Sequence, residues 1–191
     1  MSSESATEER LLAAALTAMS QYGTRKTTVG DVARVAGVSR ATAHRFFGTR
    51  QEMYAQVAAR EFERFYTEAI AAIPPDVGGL RDYLPRAIAF TLDWLRSHEL
   101  FNRNIRDDPA SLAEQLFTPD PEVPSALRFV VPQLTLLLAA YTDELTVTPG
   151  IAAELICRLV LSAYLMPDHQ LGEPHRLAAV ILDGITHKPT T

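Results

Sequence analysis

Cysteine is nearly absent from this sequence: Cys157 is the only one in 191 residues. A lone thiol forms no intramolecular disulfide and supplies no thiolate zinc cluster. Long apolar runs are missing as well. The longest near a helix centre, about Leu136–Tyr141, falls far short of the roughly 20 residues that a membrane span requires. The opening MSSESATEER carries three Glu and no apolar stretch, so no secretory leader is expected. Alternating strand patterns, internal repeats and low-complexity tracts are also lacking. What is there is 47% apolar and 21% charged, enough for a sizeable core and no case for wholesale disorder. The expectation is a soluble, cytoplasmic protein with no membrane partner.

Net charge is −5, which by itself speaks against a nucleic-acid partner. The average conceals a split. Residues 1–64 hold nine basic and seven acidic side chains, whereas residues 65–191 hold nine and sixteen. Within the first part, residues 24–50 carry Arg25, Lys26, Arg34, Arg40, Arg45 and Arg50 against Asp31 alone. A basic stretch stands in an acidic chain.

Apolar residues recur with a period near 3.6 almost throughout, so the chain reads as all-α with about nine helices. The spacing predicts helices over 7–22, 28–36, 39–47, 49–73, 80–97, 99–106, 110–117, 124–144, 149–166 and 174–186. Pro85 and Pro132 fall inside two of these and are expected to kink or interrupt them. Domains are expected at 5–55 and 56–187. The early punctuation is the most informative. Gly23 stops the first helix, Thr28 caps the second with Asp31 in its first turn, and Gly37 ends it. Ser39 caps the third helix, Gly48 stops it, and Thr49–Glu52 spells a capping box for the fourth.

Two short helices joined by Gly37-Val38 make a helix-turn-helix, with Gly37 supplying the left-handed turn residue. Val29, Val32, Ala33 and Ala36 face a shared core that Val38, Phe47 and part of Phe46 close. That leaves Arg40, Ala41, His44 and Arg45 facing outwards, where the N-terminal end of a helix can reach base edges in the major groove.

The landmarks Ala14-Ala15-Leu16, Gly23, Thr27-Thr28-Val29, Asp31-Val32-Ala33, Ala36-Gly37-Val38-Ser39, Phe47, Thr49-Arg50 and Glu52 resemble the DNA-binding domain of the TetR family of bacterial transcriptional regulators. The resemblance runs from Leu11 to about Val57. It implies a dimer bound to a double-stranded operator, with base contacts from Arg40, Ala41 and Arg45 and phosphate contacts from Thr28, Thr42, His44 and Arg50. Arg matches guanine best, and Thr28 and Arg50 stand at helix N-termini, where free amides favour anions. Two positions depart from the family pattern. Ala43 replaces a larger aliphatic residue and thins the core beneath the recognition helix, where Phe46 can fill in. His44 replaces a tyrosine whose hydroxyl donates to phosphate, a role either ring nitrogen could take.

In the remaining three quarters, the 149–166 helix confines its polar side chains to one row, Glu154, Arg158 and Ser162. The 174–186 helix is apolar over a wide arc. The chain has too few helices to cover both, so a second copy is the expected cover. The resemblance likewise implies a homodimer through the last two long helices. It also implies a cavity for a small apolar effector among the middle helices, with Phe90, Trp94, Phe101, Phe117 and Tyr141 as candidate lining. Asn102, Arg103, Asn104, Arg106 and His98 could orient a ligand, although each reads more simply as surface. An effector would act by favouring one spacing of the two recognition helices over another, transmitted through the helix from Thr49.

An enzyme needs a constellation, and none is visible. Asp107 and Asp108 are adjacent and would point apart, and His98, His169, His175 and His187 lie in separate segments without metal-ligand spacing. No phosphate loop, nucleophile motif or cofactor fingerprint appears. No catalytic residue, metal site or cofactor is expected. A helix-turn-helix used for protein contact or for packaging DNA without sequence preference is the remaining alternative.

Overall fold

The computed structural model describes residues 3–74, 78–107, 126–166 and 170–187. Nine α-helices run through these residues: α1 (Ser3–Tyr22), α2 (Val29–Ala36), α3 (Arg40–Phe47), α4 (Arg50–Ala72), α5 (Leu80–Ser97), α6 (Glu99–Asp107), α7 (Ala126–Leu138), α8 (Pro149–Leu165) and α9 (Pro174–Ile185). The only β pairing among them is an isolated bridge between Leu145 and Thr186. The helix predicted over 110–117 lies outside the described residues, as does Phe117.

The helices pack as two compact units, and these are not two consecutive stretches of chain. The first gathers the described residues up to Thr67 together with His98–Asp107; the second gathers the remainder. The division expected near residue 55 therefore places α6 in a different company from the one its packing gives it.

In the first unit, α1 and α4 bury Leu11, Ala15, Met19, Met53 and Val57 against Val32, Ala43 and Phe47 of the two short helices. Leu100 of α6 joins the same cluster. Local chemistry decides where each short helix starts and stops. Thr28 caps α2, Ser39 caps α3, and Gly37 adopts φ +65° between them, a conformation that costs glycine nothing and a β-carbon much more. Thr27 is fully buried, and its hydroxyl donates to the Ala18 and Gly23 carbonyls at 3.2 and 2.9 Å, fastening the α1–α2 loop to α1. Phe46 packs on the cluster that contains Ala43, with its ring edge-on to Phe47 at 4.7 Å.

The second unit is closed by contacts between residues far apart in sequence. The Glu144 carboxylate accepts from the Leu80 amide at 3.1 Å and so caps α5. Arg81 donates to the Thr186 hydroxyl at 2.7 Å, and Arg96 donates to the Gly172 carbonyl at 2.9 Å. Helices α5 and α7 continue through Pro85 and Pro132 rather than being interrupted there; each proline removes one backbone bond, which neighbouring turns and packing outweigh. The helix predicted over 124–144 ends sooner. After Leu138 the chain tightens into a 3-10 segment, Ala139–Glu144, with Tyr141 at φ −115°. Tyr141 stacks on Tyr83 at 6.2 Å, and Glu144 is committed to capping α5. Tertiary contacts override the apolar period here.

Helices α8 and α9 need less external cover than their composition suggests. Ala152, Ala153, Ile156, Val160 and Tyr164 of α8, and Leu177, Ala178, Ile181 and Ile185 of α9, are buried within their own unit. The large apolar residues left exposed on this pair are Ile151, Leu155 and Val180.

Candidate nucleic-acid interface

The first unit presents a surface concavity of about 640 Å3 between the start of α2, the face of α3 and the start of α4. Thr28, Asp31, Arg34, Arg40, His44, Thr49 and Arg50 supply its polar lining. Every one of these side chains stands where a cap or a turn puts it.

At the start of α2 a full capping box is present. The Asp31 amide donates to the Thr28 hydroxyl at 3.2 Å, and the Thr28 amide donates to the Asp31 carboxylate at 3.1 Å. The Thr28 hydroxyl also donates to Asp31 at 2.6 Å, and Arg34 donates to its other oxygen at 3.0 Å. The Thr28 hydroxyl and amide, with Arg34, hold the Asp31 carboxyl below its ordinary range. Arg34 also lies over the Tyr22 ring at 5.7 Å. The basic side chain and the acid nearest the face are thus spoken for by each other.

Along α3, Ser39 accepts from the Thr42 amide at 3.0 Å and its hydroxyl pairs with that of Thr42 at 2.8 Å. Thr42 is half-buried and helps to cap its own helix. Arg40, Ala41, His44 and Arg45 are exposed, while Ala43 and Phe47 turn into the core. The outward face expected from the sequence is the face the fold presents. The guanidinium of Arg40 lies over the first turn of α2, where a β-carbon on Gly30 would stand 3.7 Å from its Nε. Gly30 had no role in the sequence reading. The signal was available, a glycine inside the first turn of a capped helix, a position where glycine is otherwise unfavourable.

The two residues flanking the α3–α4 turn are engaged with the backbone. His44 Nδ1 lies 3.3 Å from the Gly48 carbonyl, and Arg50 donates to the Arg25 carbonyl in the α1–α2 loop. Arg50 has four further N–H groups, so this bond orients the guanidinium rather than exhausting it. The Thr49–Glu52 capping box is present, with the Thr49 amide donating to Glu52 at 2.7 Å and the Glu52 amide donating back to Thr49 at 3.2 Å. The Thr49 amide, and then its hydroxyl, lower the Glu52 carboxyl. The face therefore offers oriented cations beside capped helix starts and an exposed row of side chains on a helix narrow enough for a DNA groove.

The aromatic residues expected to line an effector site are divided between the two units, Phe101 in the first and Phe90, Trp94 and Tyr141 in the second. Phe90 is half-buried on α5, and Trp94 is buried with its Nε1 donating to Glu68 at 2.9 Å. Tyr141 is stacked on Tyr83. Phe101 belongs to the first unit, where its ring lies 4.5 Å from the imidazole of His98. The polar groups near it differ from the surface expectation. His98 is buried, and Arg103 donates to the Ser20 carbonyl at 2.7 Å. Among the described residues no three His, Cys, Asp or Glu side chains gather as a metal site would need, and no helix is long and apolar enough to cross a membrane.

The family profile of bacterial regulatory proteins of the tetR family matches residues 11–57, the segment that builds α1 from Leu11, the helix-turn-helix and the start of α4. The HTH-type transcriptional regulator BetI of Agrobacterium fabrum is 35% identical over 63 residues, which are 33% of this chain and 31% of that protein. The match thus spans less than a third of that relative's length. Solved structures resemble this fold over nearly its whole length. A tetR-family transcription regulator of Shewanella sp. PV-4 has a TM-score of 0.70 at 18% identity, covering 95% of this chain and 99% of its own. The transcriptional repressor QsdR of R. erythropolis has a TM-score of 0.63 at 20% identity, covering 98% and 99%.

Proposed function

We propose that the chain, whose residues 11–57 match the tetR family of bacterial regulatory proteins, is a transcriptional regulator that reads an operator with α3 and is not an enzyme. The observation that carries this reading is the exposed row Arg40, Ala41, His44 and Arg45, held outward by a capped helix-turn-helix. Arg40, Ala41 and Arg45 face the base edges in this reading. Thr28, His44 and Arg50 face phosphates, with Thr42 at the margin. The basic stretch concentrates attraction at this face, while the acidic remainder discourages adsorption elsewhere on DNA.

The working form is a homodimer on a palindromic operator, since two-fold symmetry places two recognition helices on successive major grooves. Helices α8 and α9 are the surface offered to the second copy. Ile151, Leu155 and Val180 support this, as apolar side chains left exposed on adjoining helices. A small apolar effector in the second unit, near Phe90, Trp94 and Tyr141, would release the operator by binding one spacing of the reading heads better than the other. Repression is the outcome this arrangement serves, and the cytoplasm is where it operates.

Selection of duplexes from a random pool by the purified chain tests the reading. The expected result is an inverted repeat with half-sites one helical turn or a multiple of it apart. Enrichment of no motif, with equal affinity for all duplexes, would sink sequence-specific reading in favour of non-specific packaging or protein contact.

A further inference from the structure

Helix α4 buries a carboxylate. Glu61 is 3% exposed, in the first unit and not part of the lining of the concavity. His98 Nε2 donates to its Oε2 at 3.0 Å, with the imidazole 4% exposed. Arg64 reaches the same oxygen at 3.0 Å, and Arg60 reaches the other at 2.8 Å. Arg60 continues to Glu9 of α1 through its Nε at 3.1 Å. One carboxylate thus collects donors from its own helix and from the residue just before α6, and through Arg60 it is tied to α1.

An apolar pair of the same volume would hold these helices at least as firmly, because burying charge carries a desolvation cost that its partners only repay when the geometry is right. What a buried ion pair adds is a single permitted arrangement. Hydrophobic contacts let a helix slide by part of a turn, whereas a hydrogen-bonded carboxylate does not. The segment so held is not a peripheral one. His98 is where the chain re-enters the first unit after α5, and the next residues place Leu100 in the helix-turn-helix core and Arg103 on the end of α1.

From this geometry we infer that Glu61 is a positioning residue for DNA reading: it fixes α4 against His98 and α6, and the set of the helix-turn-helix on its operator depends on that bond. The inference rests on the operator-reading function proposed above and adds a residue that touches no DNA.

The test separates positioning from charge and from stability, because the three predict different signs. Glu61→Gln removes a negative charge from the reading unit, so electrostatics alone would strengthen binding to every duplex. A merely stabilising role would lower the melting temperature and leave the affinity of the folded protein unchanged. Positioning weakens selected-duplex binding while sparing non-specific binding. The measurement is the affinity of the full chain for a selected duplex and for a scrambled one, well below the melting midpoint of each variant followed by circular dichroism. Glu61→Gln and His98→Gln should each weaken selected-duplex binding about tenfold or more, with less than about a twofold loss on scrambled DNA, and the double variant should be little worse than the poorer single. Should Glu61→Gln not fold, His98→Gln carries the same comparison. Selected-duplex affinity within about twofold of wild type in the folded variants overturns the proposal while leaving the regulatory reading intact. A wild type that enriches no duplex overturns that reading first, and this inference with it.

Discussion

The boundaries of the reading helices in the first unit and the closure of the second unit rest on different kinds of bond. In the first, the reading helices are bounded by bonds three or four residues long: Thr28 to Asp31, Ser39 to Thr42, Thr49 to Glu52. In the second, the closing bonds join Leu80 to Glu144, Arg81 to Thr186 and Arg96 to Gly172. The face that must meet a rigid external partner is specified locally, turn by turn. The part proposed to hold an effector is specified by contacts across the chain. A surface read by DNA tolerates little variation in where its helices begin, whereas a unit that responds to a ligand needs elements that can shift together.

The comparison can be pressed experimentally, beginning with the cores. Phe47→Ala should cost about 3–5 kcal/mol and Leu177→Ala about 2–5 kcal/mol in denaturant unfolding. Only the former removes a residue on which α2 and α3 are seated, so it alone should abolish operator binding before the chain unfolds as a whole. Next comes the reading face. Arg40→Ala should cost roughly 1–3 kcal/mol in operator affinity and relax specificity at one position, whereas Arg50→Ala should weaken all duplexes alike and reduce the salt slope by about one. Binding titrations at several salt concentrations separate the two. An unchanged slope for Arg50→Ala would mean that its bond to the Arg25 carbonyl, and not a phosphate, is its whole role.

Caps come third. Ser39→Ala should cost about 1 kcal/mol of stability, measured by urea unfolding, since it strips α3 of its N-terminal acceptor.

Acid should give the smallest effect near neutrality and then discriminate between the units. Among the described residues, the carboxyls held below their ordinary range, Glu9, Asp31, Glu52 and Glu61, all lie in the first unit. For Glu61, burial pushes upward, but the His98 hydrogen bond and the charges of Arg64, His98 and Arg60 together pull it down. A carboxyl lowered in the folded state contributes stability that is complete above its unfolded pKa of about 4 and is lost as pH falls through the folded value. Protection of the α2 and α3 amides, taken relative to the intrinsic exchange rate at each pH, should therefore fall in acid before the fluorescence of Trp94, the sole tryptophan and a resident of the second unit, changes. The reverse order would contradict the contrast drawn between the units.

The same contrast explains how far the sequence could be read. Gly37, Ser39 and the Thr49–Glu52 pair announce their conformations from within a window of a few residues, so the helix-turn-helix and its outward face are legible in the sequence. Asp31 completing a capping box with Thr28 is the same kind of signal, slightly disguised by a shorter acid. Glu61 and His98, 37 residues apart, carry no such mark: a histidine between two helices looks like surface until the packing puts a carboxylate against it. The unit to which Phe101 belongs is equally hidden, since periodicity shows that a residue faces inward but not which interior it faces. The end of α7 at Leu138 and the burial of most of α8 within its own unit were likewise decided by distant partners.

The place of α6 in the first unit also bears on the order in which the protein can be made. Synthesis delivers α1 to α4 first, with every cap of the reading helices already encoded. Leu100, Arg103 and the His98 partner of Glu61 emerge only after the whole of α5 has been added. Until then the nascent head lacks a side of its core and carries a carboxylate without its imidazole. A ribosome-bound chain stopped before residue 98 should thus hold formed helices without a settled interior, and competence to grip DNA should arrive late, when the returning segment clears the exit tunnel.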